Sequence, residues 1–274
     1  MNRSKLAIAS AFEATGLSRS LLALQRAALR PYARALNYHD VPYALAPAFE
    51  SQLQFYARHF VSMGYDDLLG LQAGEWPHEK PGLVLSFDDG LRSHAEVVAP
   101  LLEKYEMTGW FMVPVGVLDE PAGAGRAPAH TVHEPTLSWH SLSLLRDRHV
   151  IGCHTFSHRR LTDALTSEDL ALEIDSAKRA LEEGLRCSIP VFAWVGGEEE
   201  TYSAAAAEAI RRAGFRVSFM TNSAPIRPGA DLLQLQRTNV EASHPPALVN
   251  LSLSGFFDAW YAAKRRRVNR LTAP

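Results

Sequence analysis

Two short stretches carry residue types that could do chemistry together. Ser86-Phe87-Asp88-Asp89-Gly90 ends an apolar run with adjacent carboxylates, and His154-Thr155-Phe156-Ser157-His158 sets two imidazoles four residues apart. Asp89, His154 and His158 make a one-carboxylate, two-histidine set of the kind zinc uses when positions stay open for water and substrate. A second carboxylate, Asp88, could take the proton of a water acidified by the ion as it attacks a carbonyl. Each stretch also has a plainer reading. Asp-Gly is a common turn dipeptide, and a His-x-x-x-His pair sharing one face of a helical turn is often merely solvated. The combination is what points to hydrolysis. Neighbouring residues in an extended segment face opposite ways, so both acids serve one site only if the chain turns there, as Gly90 permits.

The surrounding pattern says how these residues are held. Residues 18–34 read as a helix with Leu21, Leu22, Leu24 and Ala28 on its apolar side, followed by a strand over 34–39. Phe49, Leu53, Tyr56, Phe60 and Met63 paint one helical face that Gly64 would stop. Strands are expected at 84–87, 109–117, 150–153, 191–195, 216–221 and 235–240. Helices are expected at 93–105 (with Pro100 inside), 138–148, 166–184 from a Thr166/Asp169 capping box, 203–213, and 246–266 as one helix. Residues 119–135 have no periodicity and read as a long loop. Strand followed by helix, repeated without a composition break, argues for a mainly parallel sheet, open or closed, whose ligands gather where strands end. Asp88, Asp89, His154 and Gly196-Gly197 all follow strands.

Composition excludes several classes. With 28 Lys and Arg against 30 Asp and Glu and a net charge of −2, no global field favours nucleic acid. Cys153 and Cys187 are the only cysteines, so no disulfide framework is expected. The run from Leu6 to Phe12 after Arg3 and Lys5 has the look of a signal peptide, but Glu13 interrupts it and no cleavage site follows. No stretch reaches the ~18 apolar residues of a spanning helix, so the expectation is a soluble, cytoplasmic protein.

The two stretches resemble the first two signature motifs of the polysaccharide deacetylase family, the carbohydrate esterase family 4 or NodB-homology enzymes. Order and spacing agree, and the likeness runs over residues 36–240, taking in Tyr38-His39 and Leu137-Ser138-Trp139. The resemblance implies an α/β fold, a distorted (β/α) barrel of about seven parallel strands. It gives a barrel domain over 36–274 with an N-terminal helical extension over 1–35. It also implies Asp88 as general base and Asp89, His154 and His158 as ligands of a divalent metal, zinc first and other transition metals possible. The reaction implied is removal of an N-acetyl group from an amino-sugar-containing substrate.

The third motif departs from the family pattern. Phe192-Ala193-Trp194-Val195-Gly196-Gly197 lacks both the proline and the arginine that orients the catalytic aspartate in other members. A main-chain N–H at Gly196 could still serve an oxyanion, Trp194 could meet a sugar ring, and Arg237 could reach an aspartate or a substrate oxygen. His244 is the candidate general acid; His39 is an alternative polar group at a strand end, read first as making a structural hydrogen bond. His130 and His133 in the long loop, the acidic run 198–200 and the basic run 264–267 read first as solvated groups, the last as a frayed helix tip. The expected function is therefore a metal-dependent deacetylase. The alternatives are a deformylase or other amide hydrolase, and a catalytically weakened carbohydrate-binding protein.

Overall fold

The computed structural model describes residues 3–119 and 135–274. In chain order the elements are α1 (Arg3–Ala14), α2 (Leu17–Leu29), β1 (Ala33–Tyr38), α3 (Ala46–His59), β2 (Val61–Ser62), α4 (Tyr65–Gln72), β3 (Gly82–Phe87), α5 (Ala99–Lys104), β4 (Gly109–Val113), α6 (Trp139–Leu145), β5 (Val150–Cys153), α7 (Ser167–Leu170), α8 (Ala177–Leu185), β6 (Val191–Ala193), α9 (Ala204–Arg212), β7 (Val217–Met220), β8 (Leu235–Asn239), α10 (Pro246–Leu253) and α11 (Asp258–Leu271). No described helix is long and apolar enough to cross a membrane.

All the strand pairings are parallel, in the order β1-β8-β7-β6-β5-β4-β3. Pairing of β1 with β3, from Ala33↔Gly82 to Tyr38↔Phe87, closes these seven strands into a barrel. β2 is a two-residue addition to the start of β3. Gly82 sits at this closure, where a Cβ would run into Met63 and Ala33.

Period-two alternation sorts the strand side chains into two layers. Ala33, Ala35, Val84, Trp110, Met112, Val191, Ala193, Val217, Phe219 and Leu235 pack together inside the barrel, with Leu68 and Leu71 of α4 joining them. Leu36, Tyr38, Leu83, Leu85, Phe87, Phe111, Val113, Ile151, Cys153 and Phe192 face the surrounding helices. The strands are buried on both faces, as a parallel barrel requires.

Several expected boundaries move. The α3 stripe is real, but the helix stops at His59; Phe60 is extended, and both Phe60 and Met63 reach the core from the segment that makes β2. Pro100 is accommodated in the first turn of α5, after a π-helical turn over His94–Val98. The single helix expected over 246–266 is two, α10 and α11, broken at Gly255, whose φ is +78°. Leu24, expected on the apolar side of α2, is 64% exposed.

Candidate functional site

The inward-facing rows continue past the strand ends, and this continuation builds the site. Residues in step with Ala35, Val84, Val191, Phe219 and Leu235 are Asn37 near the end of β1 and His39 just after it, Asp88 after β3, Val195 after β6, Thr221 after β7 and Asn239 at the end of β8. These, with His154 after β5, line a cavity of ≈ 490 Å³ at the carboxyl end of the barrel. Asp89 should point the other way. It reaches the same cavity because its own backbone is left-handed, φ +79°, with Gly90 following at +62°. The turn thus begins one residue earlier than Gly90, at a residue type that tolerates this conformation.

His154 and His158 do not share a helical turn. The segment between them is a loop in which Thr155 and His158 have φ of +67° and +61°. A carboxylate beneath it holds this shape: Glu173, buried in a π-helical turn between α7 and α8, accepts the N–H groups of Phe156 (3.0 Å) and Ser157 (2.9 Å) and the Ser157 hydroxyl (2.6 Å). Glu173 escapes motif reading. Its trace in the sequence is an acid set between Leu170 and Ile174, on the buried face of a helical stripe, where an unpaired carboxylate would be costly.

The ligand geometry suits a cation. Ligand atoms of Asp89, His154 and His158 all lie within 4.8 Å of one another. His154 Nδ1 is 2.9 Å from the Ala193 carbonyl, to which it donates, leaving its Nε2 lone pair facing Asp89 Oδ1 at 3.6 Å. His158 Nε2 is 3.0 Å from the same oxygen. Asp89 Oδ1 is itself buried without a hydrogen bond. A lone pair aimed at an unsatisfied carboxylate oxygen is the arrangement a divalent ion completes. Burial works against charge at Asp89, but the two imidazoles hold its carboxyl well below the usual range.

Asp88 is clamped by an arginine from the opposite end of the chain. Arg237 on β8, fully buried, donates from Nη1 to Asp88 Oδ1 (2.6 Å) and from Nη2 to Oδ2 (2.8 Å), and its Nη1 also reaches Ser86 Oγ (3.0 Å). Burial opposes ionisation, yet Arg237, helped by His154 and His39, keeps the Asp88 carboxyl below its ordinary range. Asp88 Oδ2 is 3.9 Å from His154 Nε2, beside the ligand cluster and not within it.

The remaining candidates divide. Gly196 lines the cavity with φ +87°, and His39 lines it too. His244 does not; it lines an adjoining cavity of ≈ 270 Å³ that shares Thr221, Asn239 and Tyr261 with the first and is bordered by α10 and α11. Trp194 is buried in the wall, its indole N–H donated to Ser218 Oγ (2.9 Å) and its ring against Tyr202, so it presents no face to the cavity. His130 and His133 lie outside the described residues. The basic run is not a frayed tip. Lys264 and Tyr261 of α11 line the cavity, Lys264 Nζ donates to the Gly197 carbonyl (2.6 Å), and Arg267 pairs with Glu199 of the acidic run (2.7 Å).

Comparison with known proteins identifies the family and the fold. The polysaccharide deacetylase family profile matches residues 76–218, more than half of the chain. No curated protein matches by sequence. Among solved structures, the Streptococcus pyogenes deacetylase PplD, determined in complex with acetate, superposes with a TM-score of 0.66 at 19% identity, covering 81% of this chain and 98% of its own. IcaB from Ammonifex degensii gives 0.65 at 21%, covering 85% and 98%. The deacetylase domain of BpsB from Bordetella bronchiseptica gives 0.63 at 17%, covering 77% and 96%. At these identities the likeness is one of fold.

Proposed function

Since the chain belongs to the polysaccharide deacetylase family, we propose that it is a metal-dependent hydrolase removing an N-acetyl group from an amino-sugar-containing saccharide or sugar conjugate. The carrying observation is an ionised, arginine-clamped Asp88 set beside the mutually facing ligand atoms of Asp89, His154 and His158. A divalent ion held by these three, zinc being suited to two imidazoles and a carboxylate, would polarise the amide carbonyl and acidify water.

The protein's own groups take the other parts. Asp88 accepts the proton of the attacking water, and Arg237 fixes which way its carboxylate faces. The main-chain N–H at Gly196 is the donor for the developing oxyanion. Among the described residues His39 is the one imidazole lining the cavity besides the two ligands, and we assign it, in place of His244, as the group that protonates the departing amine. Amine and acetate leave as products; PplD was solved holding acetate, the acid that such a reaction releases. The weakened-enzyme alternative rested on the missing third-motif arginine, and Arg237 supplies a guanidinium to Asp88 by another route.

Acetate release from N-acetylglucosamine oligomers by metal-loaded protein is the test. Asp88→Asn is expected to lower the rate by about 10²–10⁴ with metal content unchanged, and Asp89→Ala to lose the metal. An Asp88→Asn protein as fast as wild type would sink the proposal, and formate release from N-formyl but not acetate from N-acetyl sugars would replace it with a deformylase.

A further inference from the structure

A second cavity, of ≈ 560 Å³, lies between α2, α3 and the start of α10. Tyr32 and Pro81 in its wall immediately precede β1 and β3, so it sits where the strands begin, roughly 20 Å along β3 from Asp88 at ~3.3 Å per residue. Its volume is in the range of small-molecule sites. Leu22, Phe55, Pro81 and Pro246 make its walls largely apolar.

Three guanidinium groups, Arg19, Arg26 and Arg58, face this apolar space against a single carboxylate, Glu13. Glu13 is already engaged by the Ser18 hydroxyl at 2.7 Å and lies 3.7 Å from Arg19. Arg26 spends one N–H on the Glu79 carbonyl (3.2 Å), and among the described residues Arg58 makes no ion pair or hydrogen bond. Burial, together with Arg58, Lys80, Arg19 and Arg26, holds His59 below its ordinary range, which reports the positive potential gathered here. Two buried polar groups on lining residues are also left without partners, the Tyr32 hydroxyl and Asn250 Oδ1. Unpaired buried polar atoms carry a cost that a ligand can remove.

We infer that this cavity binds a phosphate monoester carried on an apolar body. The phosphate meets Arg26 and Arg58, whose planar N–H forks match phosphate oxygens, the Tyr32 hydroxyl adds a neutral donor, and the apolar body lies against Leu22 and Phe55. Either an anionic lipid or a soluble ester presents this chemistry. The site is separate from the deacetylase centre and does not depend on its assignment.

The experiment is calorimetric titration of the full chain with hexyl phosphate, inorganic phosphate and hexanol. Hexyl phosphate is expected to bind saturably with a dissociation constant of about 1 mM or tighter, and the two fragments far more weakly. Arg26→Gln with Arg58→Gln should weaken it about tenfold or more. Tyr32→Phe, which removes an unpaired hydroxyl and leaves packing intact, should weaken it about threefold to tenfold. Asp88→Asn should bind like wild type. Absence of saturable binding, or binding unmoved by the arginine substitutions in protein whose melting is normal, overturns the inference. Arginine-dependent co-sedimentation with phosphatidic acid vesicles but not phosphatidylcholine vesicles makes the ligand a lipid. Hexyl phosphate binding without co-sedimentation makes it a soluble ester, and the site stands either way.

Discussion

At Asp88, the proposed proton acceptor, two demands conflict: a base must be ionised at working pH, and this carboxylate is buried. Arg237 resolves the conflict with a bidentate pair inside the barrel, a geometry lysine cannot reproduce. Breaking a buried pair from one side strands the other charge, so Arg237→Met should cost about 3–5 kcal/mol of stability. Deacetylation should fall with it, and Arg237→Lys should recover stability better than rate. Urea melts beside initial rates check both, and an Arg237→Met protein with wild-type kcat would remove Arg237 from the positioning role.

Among the elements, the loop after β5 that carries the proposed ligands owes its form to the π-helical turn that holds Glu173. Three donors converge on one buried carboxylate, and the loop's left-handed residues are held against it. Glu173→Ala is expected to weaken metal affinity by about 10–100-fold although Glu173 is no ligand, as outer-shell losses commonly do. Glu173→Gln keeps an acceptor for the two main-chain N–H groups and should retain most of the affinity. Competition with a chelator of known affinity measures this, and equal affinities for wild type and Glu173→Ala would refute it. α11 serves the opposite wall, where Lys264 and Arg267 tie the loop after β6 in place. Burial lowers the Lys264 pKa against the pull of Glu198, Glu199 and Glu200.

For the molecule as a whole, acid sensitivity should come partly from His94, far from the surface. Its Nε2–H donates to the His39 carbonyl at 2.9 Å, its Nδ1 has no partner, and Phe87 and Phe111 flank the ring. Burial holds this imidazole below its ordinary range despite the His39 carbonyl. The unfolded chain, with a pKa near ~6.5, therefore takes the proton first, so His94's contribution is complete above that pH and is lost as pH falls towards the folded value. The slope reaches at most about 1.4 kcal/mol per pH unit for one proton. His94→Gln should flatten the fall in stability between pH 7 and pH 5, read from urea midpoints; an unchanged slope would exclude His94 as a source.

Much of this protein was legible in the order of its residues. Alternating strand and helix patterns gave a mainly parallel sheet without deciding between open and closed, the barrel came from the family resemblance, and local chemistry at 86–90 and 154–158 marked the candidate base and ligands, because a metal set needs particular side chains at short spacing. Arg237 could be named as a candidate, but its partner could not, since 149 residues separate it from Asp88 and only closure of β1 between β3 and β8 brings them together. The same closure sets His39 in the cavity, whereas His244, beyond β8, lines the adjoining one. Trp194 and the basic run were ambiguous for a related reason: an indole or a lysine has the same sequence signature whether it faces a core, a cavity or water, and which it meets is decided by the packing of distant elements. Left-handed backbone at Asp89, Thr155 and His158 belongs to that class too, held by contacts such as those of Glu173 that no local propensity encodes.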